Sequence, residues 1–160
     1  GPQSDVDLVE LLEELGRTGV PDGVRVSVRA NGGPRMLLGH YEPLRRAFSN
    51  LYRNASEAMK GHGAIDVTVT GGGAAAGLAI TIADHGPGIP AEYRQRVFEP
   101  YFTTKDDGTG LGLALVRVTL EAHRGTISVS ETPGGGATFV IEFPTSPLSR
   151  MERGSGGEDR

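Results

Sequence analysis

Apolar residues recur at helical spacing in two long segments of the chain. The first segment covers residues 5–15, and Ser4 or Asp5 is its predicted cap, with Gly16 as its predicted end. The second covers residues 41–60 and contains a longer run of the same period. Each segment is therefore predicted to be a helix with one apolar face.

An alternation of apolar and polar residues, with a period of two, predicts the strands. Val24, Val26 and Val28 alternate with polar residues in the first of them. A third helix is predicted over 110–123, and a shorter helical segment over 91–97. Further strands are predicted over 36–38, 66–70, 78–82, 126–130 and 137–143. Together these elements predict an α/β fold, a two-layer α/β sandwich whose mixed, mostly antiparallel sheet carries helices on one face.

The second helix carries two asparagines one turn apart. Projection at about 100° per residue places Asn50, Asn54 and Glu57 on one flank of the apolar stripe. A side-chain amide oxygen is a neutral ligand suited to Mg²⁺, which takes the rest of its shell from water and phosphate. Two polar residues on a solvated helix flank are the alternative interpretation. The stripe itself is predicted to contain Leu44, Ala47, Phe48, Leu51, Ala55, Ala58 and Met59.

A carboxylate followed by glycines ends the strand over 78–82. Asp84 directly precedes Gly86-Pro87-Gly88. A carboxylate at this point can accept a hydrogen bond from an exocyclic amine such as that of adenine, and glycine allows the backbone to approach the base. A tight turn would use the same residue types.

A second glycine cluster, Gly108-Thr-Gly-Leu-Gly112, opens the predicted third helix. The unpaired N–H groups and the positive dipole at a helix N-terminus bind anions. The spacing matches neither a dinucleotide-binding fingerprint nor a Walker A loop. Between the glycine clusters, the aromatic residues of 98–105 can anchor a loop from which Lys105 reaches a terminal phosphate. An ordinary surface loop is the alternative.

Composition narrows the function classes. A chain of 160 residues suits one domain, and the absence of cysteine excludes disulfides and thiolate metal sites. A net charge of -4 without a basic stripe argues against a nucleic-acid partner. The four histidines show no metal-ligand spacing, and no apolar run approaches the roughly 18 residues that span a bilayer.

The chain is expected to contain three parts. Residues 1–23 are interpreted as a tag remnant and a lead-in helix. Residues 24–144 form the expected main domain, which contains the asparagine pair and both glycine clusters. The polar, glycine-rich residues 145–160 predict a disordered tail.

In this order, the motifs of residues 24–144 resemble those of the catalytic, ATP-binding domain of bacterial sensor histidine kinases. This family belongs to the GHKL superfamily (Bergerat fold), which also holds gyrase B, the Hsp90 chaperones and MutL, and the likeness is strongest to the nitrogen-regulation subgroup. The matching segments are 50–58 (N box), 84–89 (first glycine box), 98–105 (F box), 108–113 (second glycine box) and 136–139 (terminal strand).

The resemblance implies that residues 24–144 are an ATP-binding catalytic domain and that the lead-in helix of residues 1–23 follows a missing acceptor and dimerisation domain. It also implies binding of Mg-ATP and transfer of the γ-phosphoryl group to a histidine on that separate dimerisation domain. Asn54 would ligate magnesium, Asp84 would bond the adenine amine, and Asn50 and Lys105 would act in catalysis. The implied nucleotide-binding residues are Asn50, Asn54, Asp84, Gly86, Gly88, Ile89, Phe102, Thr104, Lys105, Gly108, Thr109, Gly110, Leu111, Gly112, Leu113 and Thr138.

The implied partners are the dimerisation domain and a response regulator, within a cytoplasmic two-component system whose kinase is a homodimer, with or without a membrane anchor. The fragment itself is expected to be a monomer that binds ATP without phosphorylating itself, because none of its histidines has the sequence context of the acceptor.

Three positions depart from the family pattern. His85 stands where asparagine is usual, and Glu57 where many members have lysine. Asn50 stands where the ATP-hydrolysing relatives have a glutamate, and an amide cannot accept a proton from water. An ATPase clamp of the chaperone type, a serine kinase acting on an anti-sigma antagonist, and a nucleotide-binding pseudokinase are the alternatives to the histidine kinase.

Overall fold

The computed structural model describes residues 2–31, 35–71, 77–103 and 110–144, which form seven strands and three α-helices. Within these ranges, no helix combines the length and the apolar character needed to cross a membrane. The predicted tail over 145–160 lies outside the described residues. The elements are β1 (Ser4–Asp7), α1 (Leu8–Thr18), β2 (Val24–Ala30), β3 (Met36–Gly39), α2 (Tyr41–Ala58), β4 (Gly63–Gly71), β5 (Leu78–Ala83), two 3₁₀ turns (Ala91–Tyr93 and Arg96–Phe98), α3 (Gly112–Ala122), β6 (Thr126–Glu131) and β7 (Ala137–Phe143).

Five of the strands form one mixed sheet in the order β2-β4-β5-β7-β6. β2 runs parallel to β4, and every other neighbouring pair is antiparallel, which confirms the predicted sheet. β1 and β3 form a separate antiparallel pair. In the main sheet Ala83 lies opposite Thr138, so the end of β5 meets the start of β7. This register brings the carboxylate that follows β5 next to the final strand.

One hydrophobic core joins the three helices to the sheet. The inward-facing residues of β4, β5 and β7 alternate with exposed or half-buried ones, and they pack against the apolar faces of α1 and α2. Tyr52 is fully buried there, and its hydroxyl donates to the Leu12 carbonyl at 2.9 Å. Burial, helped by the Glu13 carboxylate, raises the pKa of Tyr52. α1, which precedes the expected domain boundary at residue 24, supplies five buried residues to this core. The helix therefore packs as part of the same core as the residues after that boundary.

The start and end of α1 differ from the sequence prediction. Residues 4–7 are a strand paired with β3, so the cap is Asp7, whose side chain accepts from the Glu10 N–H at 3.0 Å, and not Ser4 or Asp5. Gly16 does not end the helix. A Cβ at Gly16 would lie 2.8 Å from Cβ of Val26, so glycine permits close contact between α1 and β2.

The segment predicted as helical over 91–97 forms two short 3₁₀ turns instead. The first turn buries none of its residues and the second buries only Phe98, so no apolar face stabilises an α-helix here. α3 begins at Gly112 and not at Gly110, because Gly110 has a φ of 75° that a helix does not accept. α2 is confirmed, although Tyr52 and Ser56 are buried while Ala58 and Met59 are only half-buried.

Candidate functional site

A cavity of about 800 Å³ opens between α2, the loop after β5, the start of α3 and the start of β7. This volume lies within the range of small-molecule and cofactor sites. Apolar side chains alternate in its wall with amides and charged groups. The lining residues are Asn50, Arg53, Asn54, Glu57, Ala58, Lys60, Asp84, Pro87, Gly88, Ile89, Pro90, Tyr93, Val97, Phe102, Thr103, Gly110, Gly112, Leu113, Ala137 and Phe139.

Asp84 is a buried carboxylate in this wall, with 2% of its surface exposed. Its Oδ1 accepts from the backbone N–H of Gly86 at 2.9 Å and from that of Ala137 at 3.1 Å. The Asp84 N–H in turn donates to the Ala137 carbonyl at 2.9 Å. Among the described residues none donates to Oδ2. Asp84 therefore ties β5 to β7 through one oxygen and retains the other as an acceptor.

Glycines allow the backbone segments around Asp84 to come together. A Cβ at Gly136 would lie 2.1 Å from the Asp84 carbonyl oxygen, and one at Gly86 would lie 2.8 Å from the Ala58 carbonyl oxygen. Gly88 has a φ of 81°, in the left-handed region that favours glycine. The turn interpretation and the cavity interpretation of this segment are therefore compatible, because the turn builds the wall.

The flank of α2 that carries the two asparagines faces the cavity. Asn50 and Asn54 both line it, as do Arg53 and Glu57. The Arg53 guanidinium donates to Oδ1 of Asn50. Since an α-helix rises about 1.5 Å per residue, Asn50 lies about 12 Å along the axis from Ala58, against which Gly86 packs. The cavity therefore has one end at Asp84 and another at Asn50.

Aromatic residues form a third side of the cavity. The rings of Tyr93 and Phe102 lie 5.5 Å apart, and the Arg96 guanidinium lies 4.8 Å from the centre of the Phe102 ring. Phe98 is buried in the core with its ring edge-on to Phe139 at 6.1 Å. Phe98 and Phe102 are therefore aromatic anchors of this segment as expected, whereas Tyr101 is exposed, with 76% of its surface accessible, and does not anchor it.

The residues that the sequence predicted fall into three groups, apart from Thr138. Asn50, Asn54, Asp84, Gly88, Ile89, Phe102, Gly110, Gly112 and Leu113 all line the cavity. Gly86 and Leu111 lie beside it, Gly86 as the donor to Asp84 and Leu111 as the residue before α3. Thr104, Lys105, Gly108 and Thr109 lie outside the described residues, and their roles stay predictions.

Thr138 is not among the lining residues. Strand alternation turns Ala137 and Phe139 toward the cavity and Thr138 toward the other face of β7, where its hydroxyl lies 2.9 Å from the Thr132 hydroxyl. The position in this strand that contacts Asp84 is Ala137, through its backbone N–H.

Sequence reasoning missed several lining residues. Arg53 could have been predicted from the sequence, because it lies three positions after Asn50 on the same flank of α2. Tyr93 and Val97 lie in the two 3₁₀ turns and Ala137 begins a distant strand, and no local pattern marks them as cavity residues.

The donor set of the cavity fits Mg²⁺ only together with a phosphate ligand. Within the described ranges no three His, Asp or Glu side chains group as metal ligands. The asparagine amides are hard, neutral donors, and Mg²⁺ commonly binds through few protein groups and completes its shell with water and phosphate oxygens.

Comparison with known proteins gives concordant matches. Residues 39–147 match the family described as histidine kinase-, DNA gyrase B-, and HSP90-like ATPase. The chain is 46% identical over 111 residues to sensor histidine kinase ZraS of Escherichia coli (strain K12), covering 69% of this chain and 23% of that protein. It is 35% identical over 176 residues to sensory histidine kinase/phosphatase NtrB of Rhodobacter capsulatus, covering 89% of this chain and 49% of that protein.

A solved structure with the same fold is the ATP binding domain of PrrB from Mycobacterium tuberculosis. The TM-score is 0.71 at 30% identity, covering 90% of this chain and 98% of that chain. The chain spans about a quarter to a half of the length of the two curated relatives.

Proposed function

Because the chain belongs to the family of histidine kinase-, DNA gyrase B- and HSP90-like ATPases, we propose that its cavity binds Mg-ATP and presents the γ-phosphoryl group to a histidine on a separate dimerisation domain. The observation that carries this proposal is the buried Asp84, which is fixed through Oδ1 and retains Oδ2 as an acceptor in a cavity of about 800 Å³. A preorganised acceptor of this kind suits an exocyclic amine.

Adenine binds at the Asp84 end in this proposal. Oδ2 accepts a hydrogen bond from the 6-amino group, and Ile89 and Phe139 provide apolar surface for the base. The carboxylate is already held by the Gly86 and Ala137 N–H groups. Its orientation therefore costs no further ordering when the nucleotide binds.

The phosphates extend toward Asn50 and the start of α3. Gly110 and Gly112 line the cavity, and a Cβ at Gly112 would meet nothing within 4 Å, so a ligand can approach its backbone closely. The N–H groups at the start of a helix lack intrahelical partners and attract anions. Asn54 is the proposed magnesium ligand, and Lys105 is the proposed cation for the terminal phosphate.

The proposed reaction is an in-line displacement. A histidine nitrogen forms a bond to the γ-phosphorus while the bond from that phosphorus to the β,γ-bridging oxygen breaks, and ADP leaves. Bound Mg²⁺ supplies charge neutralisation at the phosphate oxygens. The residues of the cavity form no covalent bond to the nucleotide. Their main contribution to catalysis is to hold it in the orientation that the reaction needs.

The chemistry at Asn50 favours a histidine over water as the acceptor. Its side chain is an amide, which cannot take a proton from an attacking water. The carboxylate of Glu57 lines the cavity too, but it lies about 10 Å along the α2 axis from Asn50, near the Asp84 end. We therefore assign it no role as a base in hydrolysis.

The proposal includes the partners of the parent protein. The parent protein forms a homodimer through the histidine-bearing domain, and a response regulator receives the phosphoryl group. Its proposed location is the cytoplasm. The names of the relatives, which are sensor histidine kinases, support this assignment.

Calorimetry with ATP tests the binding site. We expect the affinity of the unaltered chain for ATP to fall when EDTA removes Mg²⁺. Asn54→Ala should bind ATP weakly with or without Mg²⁺, and its affinity for adenosine should be unchanged. Ser49→Ala is the matched control, because Ser49 lies on the same helix and does not line the cavity.

Transfer is tested by mixing the chain with the dimerisation domain of its own kinase and γ-labelled ATP. We expect an acid-labile label on the dimerisation domain and none on the isolated chain. Release of inorganic phosphate without any protein label would instead identify an ATPase, and failure to bind ATP in the first experiment would overturn the proposal.

A further inference from the structure

Arg53 is a cation in the wall of the cavity to which no role has yet been given. It lies on α2 between Asn50 and Asn54, and all three line the cavity. Its side chain is exposed. Among the described residues no carboxylate lies within ion-pair distance of it. Its charge is therefore available to an anionic ligand.

One hydrogen bond decides which way the guanidinium faces. Arg53 lies between the large cavity and a second hollow of about 530 Å³, and it borders both. Its Nη2 donates to Oδ1 of Asn50, a residue that borders only the first. The bond therefore holds the guanidinium on the side of the large cavity.

The same bond fixes what Asn50 can offer to a ligand. Its amide oxygen accepts from Arg53 through one of its two lone pairs, and this bond leaves both N–H donors of the Nδ2 amide group for the cavity. A guanidinium has five N–H donors, of which this contact uses one. Since the Asn50 oxygen is turned toward the guanidinium, the two side chains present mainly N–H donors and one positive charge to the cavity.

We propose that Arg53 is a phosphate-binding residue that also orients Asn50, so that both donate to oxygens of the nucleotide's phosphate chain. The inference rests on the proposed function, because it takes the phosphate chain to lie at this end of the cavity. It assigns Asn50 to phosphate and leaves magnesium to Asn54.

An ordinary pair on a helix surface would have different properties. Residues three positions apart on a solvated helix stabilise it by only a few tenths of a kcal/mol, and such a pair would leave nucleotide affinity unchanged. A phosphate-binding arginine affects only ligands that carry phosphate. Comparison of ligands with and without phosphate therefore separates the two roles.

The test is calorimetry of Arg53→Ala with ATP, adenosine and inorganic tripolyphosphate, in the presence of Mg²⁺. Charge-assisted hydrogen bonds are worth about 1.5–3 kcal/mol, so we expect ATP affinity to fall roughly tenfold to hundredfold. Tripolyphosphate binding should fall in parallel, and adenosine affinity should stay within twofold. Arg53→Lys keeps the positive charge but lacks the planar set of guanidinium donors, so it should recover part of the lost ATP affinity.

Arg46→Ala is the matched control, because Arg46 is an exposed arginine of the same helix that does not line the cavity. It removes the same charge and should leave all three affinities unchanged. ATP affinity within twofold of the unaltered chain in Arg53→Ala would overturn the inference, as would an equal loss for ATP and adenosine. If the unaltered chain binds tripolyphosphate but not adenosine, the adenine assignment fails, and a fall in tripolyphosphate affinity in Arg53→Ala still supports the inference. If it binds none of the three ligands, both proposals are overturned.

Discussion

Asp84→Asn provides a sharp test of base recognition, because it changes one oxygen and preserves the backbone contacts. In the structure Oδ1 accepts from two buried N–H groups, those of Gly86 and Ala137. Alanine would leave both donors without a partner, at about 1–3 kcal/mol each, and would confuse folding with binding. Asparagine retains an acceptor for both groups and places its amine where Oδ2 was.

The expected result is a change in preference from ATP to inosine triphosphate. The new amine at position 84 opposes the 6-amino group of adenine, and the loss of a charge-assisted bond worth about 1.5–3 kcal/mol lowers ATP affinity roughly tenfold to hundredfold. A 6-oxo purine presents an acceptor to the same amine, so inosine triphosphate should bind the variant better than ATP does.

The affinities for both nucleotides are measured by competition against a fluorescent ATP analogue. Thermal melting of the free protein measures whether the variant is folded. We expect the melting temperature of Asp84→Asn to change little. An unchanged preference for ATP in a folded variant would refute the assignment of Oδ2 to the base. A large fall in melting temperature would show that the carboxylate is mainly structural.

Two further substitutions test the fold. Tyr52→Phe removes the hydrogen bond to the Leu12 carbonyl and should cost about 0.5–1.5 kcal/mol in urea unfolding. Since burial raises the pKa of Tyr52, the unfolded chain loses this proton near pH 10 while the folded chain retains it; stability should fall above about pH 10, and the variant should lack that part of the fall. Both Gly135 and Gly136 have a positive φ, but only at Gly136 would a Cβ collide, with the Asp84 carbonyl oxygen. Gly136→Ala should therefore lower the melting temperature more than Gly135→Ala. Equal effects would contradict the predicted collision.

The sequence predicted those elements whose pattern is local. The 18 residues of α2 carry a complete apolar stripe, and the alternating strands β4, β5 and β7 appear as expected. β1 was missed because its four residues, Ser4–Asp7, contain a single buried side chain and pair with a strand about 30 positions away. Gly16 was misread because its function is contact with another element, which a one-dimensional pattern does not contain.

The candidate site shows the same division. The predicted residues that line the cavity lie in short motifs whose residue types indicate their function, such as Asp84 directly before two glycines. Thr138 was predicted to bind nucleotide, but Ala137 and not Thr138 lines the cavity, because one position in a strand decides which face a side chain takes. Arg53 was overlooked since its importance lies in its bond to Asn50, and residue type alone does not reveal that contact.

The two ends of the cavity differ in how firmly the protein holds them. At one end Asp84 is buried, and its bond to Ala137 fastens it between two strands of the central sheet. At the other end Asn50, Arg53 and Asn54 lie on a single helix flank and are partly or fully exposed. A buried, prepositioned acceptor discriminates strongly between bases, because a mismatched base leaves a desolvated polar group without a partner. In the proposed function, the exposed donors and a hydrated magnesium ion follow the phosphate chain of the nucleotide as it shortens from three phosphates to two, while the buried carboxylate keeps the base specificity unchanged.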